Sequence, residues 1–172
     1  MSTLHPPPAY AVNAPISELQ TAELLIVTSL RLWATQRSKH DGRHPDWRGG
    51  LVAARLEAEQ IRAFDVLLCM IAAALRRRPD VRPSHCRHLG MDEGMLLQCI
   101  GLLQRGQIGA AAQVLALWLP PTALRLAIPP AMTVATALAN AGLKIPARHA
   151  KVAMMRAVST HGHVDRGLYL VH

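Results

Sequence analysis

Aromatic residues are scarce in this chain: three Trp, two Tyr and one Phe among 172 residues. A nucleic-acid reader that stacks bases needs exposed aromatic rings, so recognition of that kind is disfavoured. Cysteine is scarce too. Cys69, Cys86 and Cys99 are odd in number and lack framework spacing, which excludes a disulfide scaffold. Reduced thiols of this kind suit a cytoplasmic protein. Charge is thin, at 17% of residues against a usual figure of about 25%. With 51% hydrophobic residues the chain is not intrinsically disordered. Period-two alternation with β-branched enrichment is missing over any useful length, so strands are not expected. Collagen-like, coiled-coil and low-complexity classes fail on the same composition.

What is present is Ala and Leu, which favour helix. The prediction is an all-α fold: a compact bundle of about six or seven helices around a central apolar helical hairpin. The expected organisation is a disordered lead-in over 1–16, a helical domain over 17–159 and a flexible tail over 160–172. The lead-in carries Pro6, Pro7 and Pro8 and has no signal-peptide pattern.

The first helix is expected over Ser17–Ser38, with Ser17 and Gln20 at capping-box spacing. The polar stretch His40–Gly50 reads as a loop. A long helical region follows over Leu51–Arg78, with a break expected near Gln60–Ala63. Its end, Val66–Leu75, is apolar without interruption and reads as a buried helix. Arg76, Arg77 and Arg78 then suit a helix C-terminus before Pro79. Further helices are expected over Met91–Arg105, Ile108–Leu119, Pro121 to just before Pro129, Pro130–Ala141 and Ala147–Ser159.

Between Gly106 and Leu143 the only charge is Arg125. The four prolines and scattered polar residues in that stretch argue against a membrane span, and none is expected. Gly106, Ala111 and Leu115 are spaced like the turn glycine, small residue and large residue of a tetratricopeptide-type hairpin. No second copy follows at that period, so the reading is one αα-hairpin, suited to core packing or self-association. The second helix of the hairpin offers only Gln113 as a polar reader, which excludes a DNA recognition helix.

Basic residues number 19 against 11 acidic, giving a net charge of +8. Lysine is nearly missing; Lys39, Lys144 and Lys151 are the three. Arginine is the better residue for bidentate contact with phosphate or carboxylate. It clusters over 31–48, over 76–88 and in the C-terminal part. The candidate partner- or phosphate-binding residues are Arg43, Arg48, Arg76, Arg77, Arg78, Arg82 and Arg87, for an acidic protein or nucleic acid. His85, Cys86 and His88 are the candidate metal ligands, or a thiol nucleophile with its base. Paired ligand knuckles are missing, and no phosphate loop, GxSxG or HExxH pattern occurs. No catalytic residue and no cofactor is assigned. Asp92 and Glu93 are read as first-turn acids that favour the helix dipole.

LRLW at 30–33, CRHLGMDEGMLL at 86–97, LLQRGQ at 102–107 and WLPP at 118–121 resemble the motifs of a group of small, uncharacterised helical bacterial proteins. The resemblance covers about half the chain and implies a helical fold, with no activity attached. The expectation for function is a helical interaction or regulatory protein, adaptor-like, with a basic surface for an acidic partner and an apolar hairpin for self-association. Sequence-independent nucleic-acid binding is the alternative, and a metal- or thiol-dependent enzyme using His85, Cys86 and His88 comes third.

Overall fold

The computed structural model describes residues 7–38, 45–75 and 77–148. Among them are six α-helices and no strand, packed as a bundle. The helices are α1 (Thr21–Ser38), α2 (Arg48–Ala53), α3 (Ala58–Ala74), α4 (Met91–Gln104), α5 (Ile108–Leu115) and α6 (Pro121–Asn140). A short 3-10 turn, Ile16–Glu18, precedes α1.

α4 is the hub, because it is buried on nearly every side. It packs on α1, α5 and α6, and α6 packs in turn on α3. Leu96, Leu97, Ile100, Ala131, Leu138 and Phe64 are among the fully buried side chains that join these layers. Small residues on the inner side of α6, Ala127, Ala131 and Ala135, let its backbone come close to its neighbours. The α4–α5 hairpin matches the expectation: Gly106 ends α4 at φ +71°, a conformation that suits glycine.

Several expected boundaries move. α1 begins at Thr21, where the Gln20 N–H donates to Glu23 Oε2, so the helix is capped one turn later than Ser17. The long region over 51–78 is two helices, broken at 54–57 where Arg55 takes φ +63°. It ends at Ala74, so Arg77 and Arg78 lie beyond the helix and do not cap it. Pro129 and Pro130 do not split the last region; α6 runs through both. Ala147 and Arg148 are non-helical, and the rest of the expected seventh helix lies outside the described residues, as do the tail after 159, Arg43 and Arg76.

From Pro7 onward the lead-in lies against the bundle. Gln98 on α4 holds it, accepting from the Ala9 N–H at 3.2 Å and donating to the Pro7 carbonyl at 2.8 Å. At the other end Gln104 clamps the exit of the chain, donating to the Leu143 carbonyl and accepting from the Ile145 N–H. Both ends of the described fold are thus fastened to amides of one helix.

Candidate functional site

Residues 77–90 connect α3 to α4 and cross the N-terminal end of α4 without regular structure. Such a segment needs partners for its backbone groups. They come from two adjacent acids and one arginine, all buried. Glu93 accepts from the N–H groups of Arg82 and Gly90, at 2.9 and 2.7 Å. Asp92 accepts from the Asp80 N–H at 2.6 Å and from Trp118 Nε1 at 2.8 Å. Adjacent positions on a helix point to different sides, so each acid organises a different part of the segment.

Arg31 is the third member. Its side chain is 2% exposed and that of Glu93 is 0% exposed. Nε and Nη2 of Arg31 form a bidentate pair with Glu93, at 2.7 and 2.8 Å. Nη1 donates to the Cys86 carbonyl and Nη2 to the His88 carbonyl, at 2.7 and 2.8 Å. Gly90 fits because a Cβ there would run into the Asp80 carbonyl oxygen. Burial pushes the Asp92 carboxyl up, but hydrogen bonds from Arg77, Trp118 and the Asp80 N–H outweigh it. The carboxyl is left below its ordinary range.

The segment also pairs with the lead-in. The Ile16 N–H donates to the Arg87 carbonyl and the Leu89 N–H to the Ala14 carbonyl, around an antiparallel bridge between Pro15 and His88. Between this pairing and α1 lies a groove of about 660 Å³. Leu24, Val27 and Thr28 of α1 line one wall, and Ser84, His85, Cys86, Arg87 and His88 line the other. Arg31, already saturated by Glu93, sits at its base. None of the twelve lining residues is acidic. His85, Arg87 and His88 are exposed and Cys86 is half-buried.

The candidate residues therefore separate. Arg87 stands at the groove, and its side chain meets no carboxylate among the described residues. Arg77 spends its guanidinium on Asp92 in a bidentate pair at 2.6 and 2.7 Å. Arg82 lies 3.1 Å from Asp80 Oδ1 and donates to Asn13 through Nη2. The Arg82–Asp80 pair lacks hydrogen-bond alignment, which leaves Arg82 Nε buried without an acceptor. Arg48 pairs with Asp46 at 3.2 Å and lies over the Trp47 ring at 4.3 Å. Trp47 is itself buried against Phe64, so its ring is not available for stacking on a base. Arg78 is exposed away from any carboxylate among the described residues.

His85, Cys86 and His88 share the groove wall, but no three His, Cys, Asp or Glu side chains converge as metal ligands among the described residues. Cys99 is fully buried and its thiol is pushed up to about 12 by burial, which makes it a core residue. A third buried carboxylate, Glu23, sequence reading missed altogether. It accepts from Tyr10 Oη at 2.7 Å and from Arg148 Nε at 2.6 Å. Arg148 also donates to the carbonyl of Glu18, the residue after Ser17 of the groove.

No known family matches this sequence, and the searches of curated proteins and of solved structures return no match.

Proposed function

We propose that the chain is an interaction module, adaptor-like, that takes an acidic polypeptide segment along the groove between α1 and residues 84–88. The observation that carries this reading is the sign of the lining: exposed Arg87, His85 and His88 with no carboxylate, beside apolar Leu24 and Val27. An acidic segment with an apolar side chain matches both walls. The connector over 77–90 is also held firmly, because Arg31 fixes its Cys86 and His88 carbonyls and Glu93 its Arg82 and Gly90 N–H groups. A surface already ordered loses less entropy when a partner binds.

The nucleic-acid alternative has less support. Arg48, Arg77 and Arg82 already face carboxylates, so fewer free guanidinium groups remain for phosphates. No reaction is assigned to His85, Cys86 or His88.

The test is fluorescence anisotropy of a short labelled Glu/Leu peptide against the full chain. Binding is expected at low salt and weakens as salt is added. Arg87→Glu removes one attraction and adds a repulsion, so affinity is expected to fall roughly three- to thirtyfold. Equal affinity for wild type and Arg87→Glu overturns the groove reading. Tight binding of duplex DNA with none of the peptide replaces it with the nucleic-acid reading.

A further inference from the structure

α6 turns its small residues inward and an almost uncharged stripe outward. The exposed positions in its middle are Thr122, Arg125, Leu126, Pro129, Met132 and Thr136, with Thr133 half-buried among them; Pro121 and Asn140 at its ends are exposed too. Leu126 is 69% exposed and Met132 39% exposed. Nothing among the described residues covers this stripe.

The stripe is palindromic. Counting outward from Pro129, Leu126 and Met132 lie three residues away on either side, and Thr122 and Thr136 lie seven away. Like therefore sits opposite like: apolar with apolar, threonine with threonine. Arg125, the single charge of α6, has Thr133 as its counterpart. A two-fold interface has this requirement, because residue i must meet residue j while j meets i. An antiparallel crossing of two α6 helices at Pro129 would set Leu126 against Met132 twice and keep the two Arg125 side chains apart.

Charge points to the same occupant. A chain of net charge +8 repels its own copies over most of its surface. The α6 stripe carries one charge, so two copies meet there with little repulsion. An acidic partner gains little there, having one arginine to pair with. Lipid is disfavoured by the prolines. Pro129 and Pro130 lack N–H groups, so the carbonyls of exposed Arg125 and Leu126 lose their helical donors. Water satisfies such carbonyls at a protein surface and at the wet edge of a small helix crossing, and hydrocarbon does not.

We infer that the outward stripe of α6 is a homodimer interface, a two-fold antiparallel helix crossing centred on Pro129. This goes beyond the groove reading and does not depend on it. A single helix crossing is at the small end of specific interfaces, so the dimer is expected to form reversibly in the micromolar range.

Sedimentation equilibrium of the full chain, from about 1 to about 100 µM, tests it. Wild type is expected to pass from monomer to dimer across that range. Leu126→Asp is expected to weaken the dimer at least about tenfold with unchanged circular dichroism, since the residue is largely in solvent. Cross-linking tests the register. Pro129→Cys, at the axis, is expected to form an intermolecular disulfide well above the wild-type background. Thr122→Cys alone is expected to stay at background, while Thr122→Cys mixed with Thr136→Cys rises above it. A monomer at every concentration, a dimer indifferent to Leu126→Asp, or Pro129→Cys cross-linking no better than Glu59→Cys on α3 overturns the inference. So does a monomer that floats with phosphatidylglycerol vesicles, which would make the stripe a lipid face.

Discussion

The connector over 77–90 and the outer face of α6 reverse the usual placement of polar and apolar groups. Under the connector, Arg31, Asp92 and Glu93 are buried, and each is held by several partners. On α6, Leu126 and Met132 stand in solvent on a stripe with one charge. The first region shows that irregular backbone can be made rigid when buried charges supply its missing partners. The second shows that an apolar residue need not serve the fold. Charge under the connector is therefore structural, while apolar surface on α6 is available for contact. Substitutions should separate the two regions sharply: large losses of stability in the first, small changes in the second.

The largest effect is expected at Arg31. Arg31→Met leaves Glu93 buried without its cation and frees the carbonyls of Cys86 and His88. Removing one partner of a buried pair costs about 3–5 kcal/mol. Guanidinium denaturation measures the loss, and trypsin cleavage at Arg87 reports whether the connector has come free. Adding Glu93→Leu removes the orphaned charge, so part of the stability should return. The connector should stay sensitive to trypsin, because the N–H groups of Arg82 and Gly90 lose their acceptor. A double variant that restores both would mean the pair does not organise the groove. A loss at Arg31 no larger than at an exposed arginine would erase the contrast between the two regions.

The helices and the α4–α5 hairpin were legible in the chain, because apolar runs, prolines and glycines are local signals. Met91 at the start of α4 and Gly106 at its end follow from near neighbours in sequence. The break between α2 and α3 was misplaced, since Arg55 at positive φ carries no glycine to announce it. The groove was half legible. Residues 85–88 stood out by type, but their setting depends on Arg31, more than fifty residues earlier. One clue was present: Arg31 interrupts an otherwise apolar stretch, Leu30 to Trp33, and an arginine inside such a stripe calls for a buried acid. Asp92 and Glu93 looked like ordinary first-turn acids, because nothing local distinguishes a dipole partner from the acceptor of a distant arginine. The contact of the lead-in with α4 has no local signal either, its anchor Gln98 lying about ninety residues away.

A smaller effect, with a pH signature, is expected at Asp92. Asp92→Asn keeps the shape but loses the charge that holds Arg77 and Trp118, at a cost of about 1.5–3 kcal/mol near neutral pH. The folded carboxyl lies below its ordinary value, so the wild type gains from it above the unfolded pKa of about 4. That gain is lost as pH falls through the unfolded value toward the lowered folded one. The stability gap between wild type and Asp92→Asn should therefore shrink on acidification. Glu23, also held low by Arg148, the Gln20 N–H and Tyr10 against the push of burial, adds acid sensitivity to both proteins alike. A gap that widens with acid would place the Asp92 carboxyl above its ordinary range and undo the account of the connector.

The smallest effect is expected on α6, and with the opposite sign. Pro129 is exposed in the helix interior, where proline removes a backbone hydrogen bond. Pro129→Ala returns an N–H that can reach the Arg125 carbonyl and replaces the worst helix former with the best. Because α6 already accommodates the ring, the gain in monomer stability should be about 1 kcal/mol, well short of the full helix penalty. Thermal unfolding at a concentration where the chain is monomeric measures it, free of any contribution from association. The same variant removes the ring from the proposed two-fold axis, where it packs on its own copy. A more stable monomer with a weaker dimer would show that Pro129 is tolerated by the fold and used by the contact. A destabilised monomer would instead make the proline part of the packing of α6 on α3 and α4. The outer stripe would then belong to the fold as much as the buried ion pairs do.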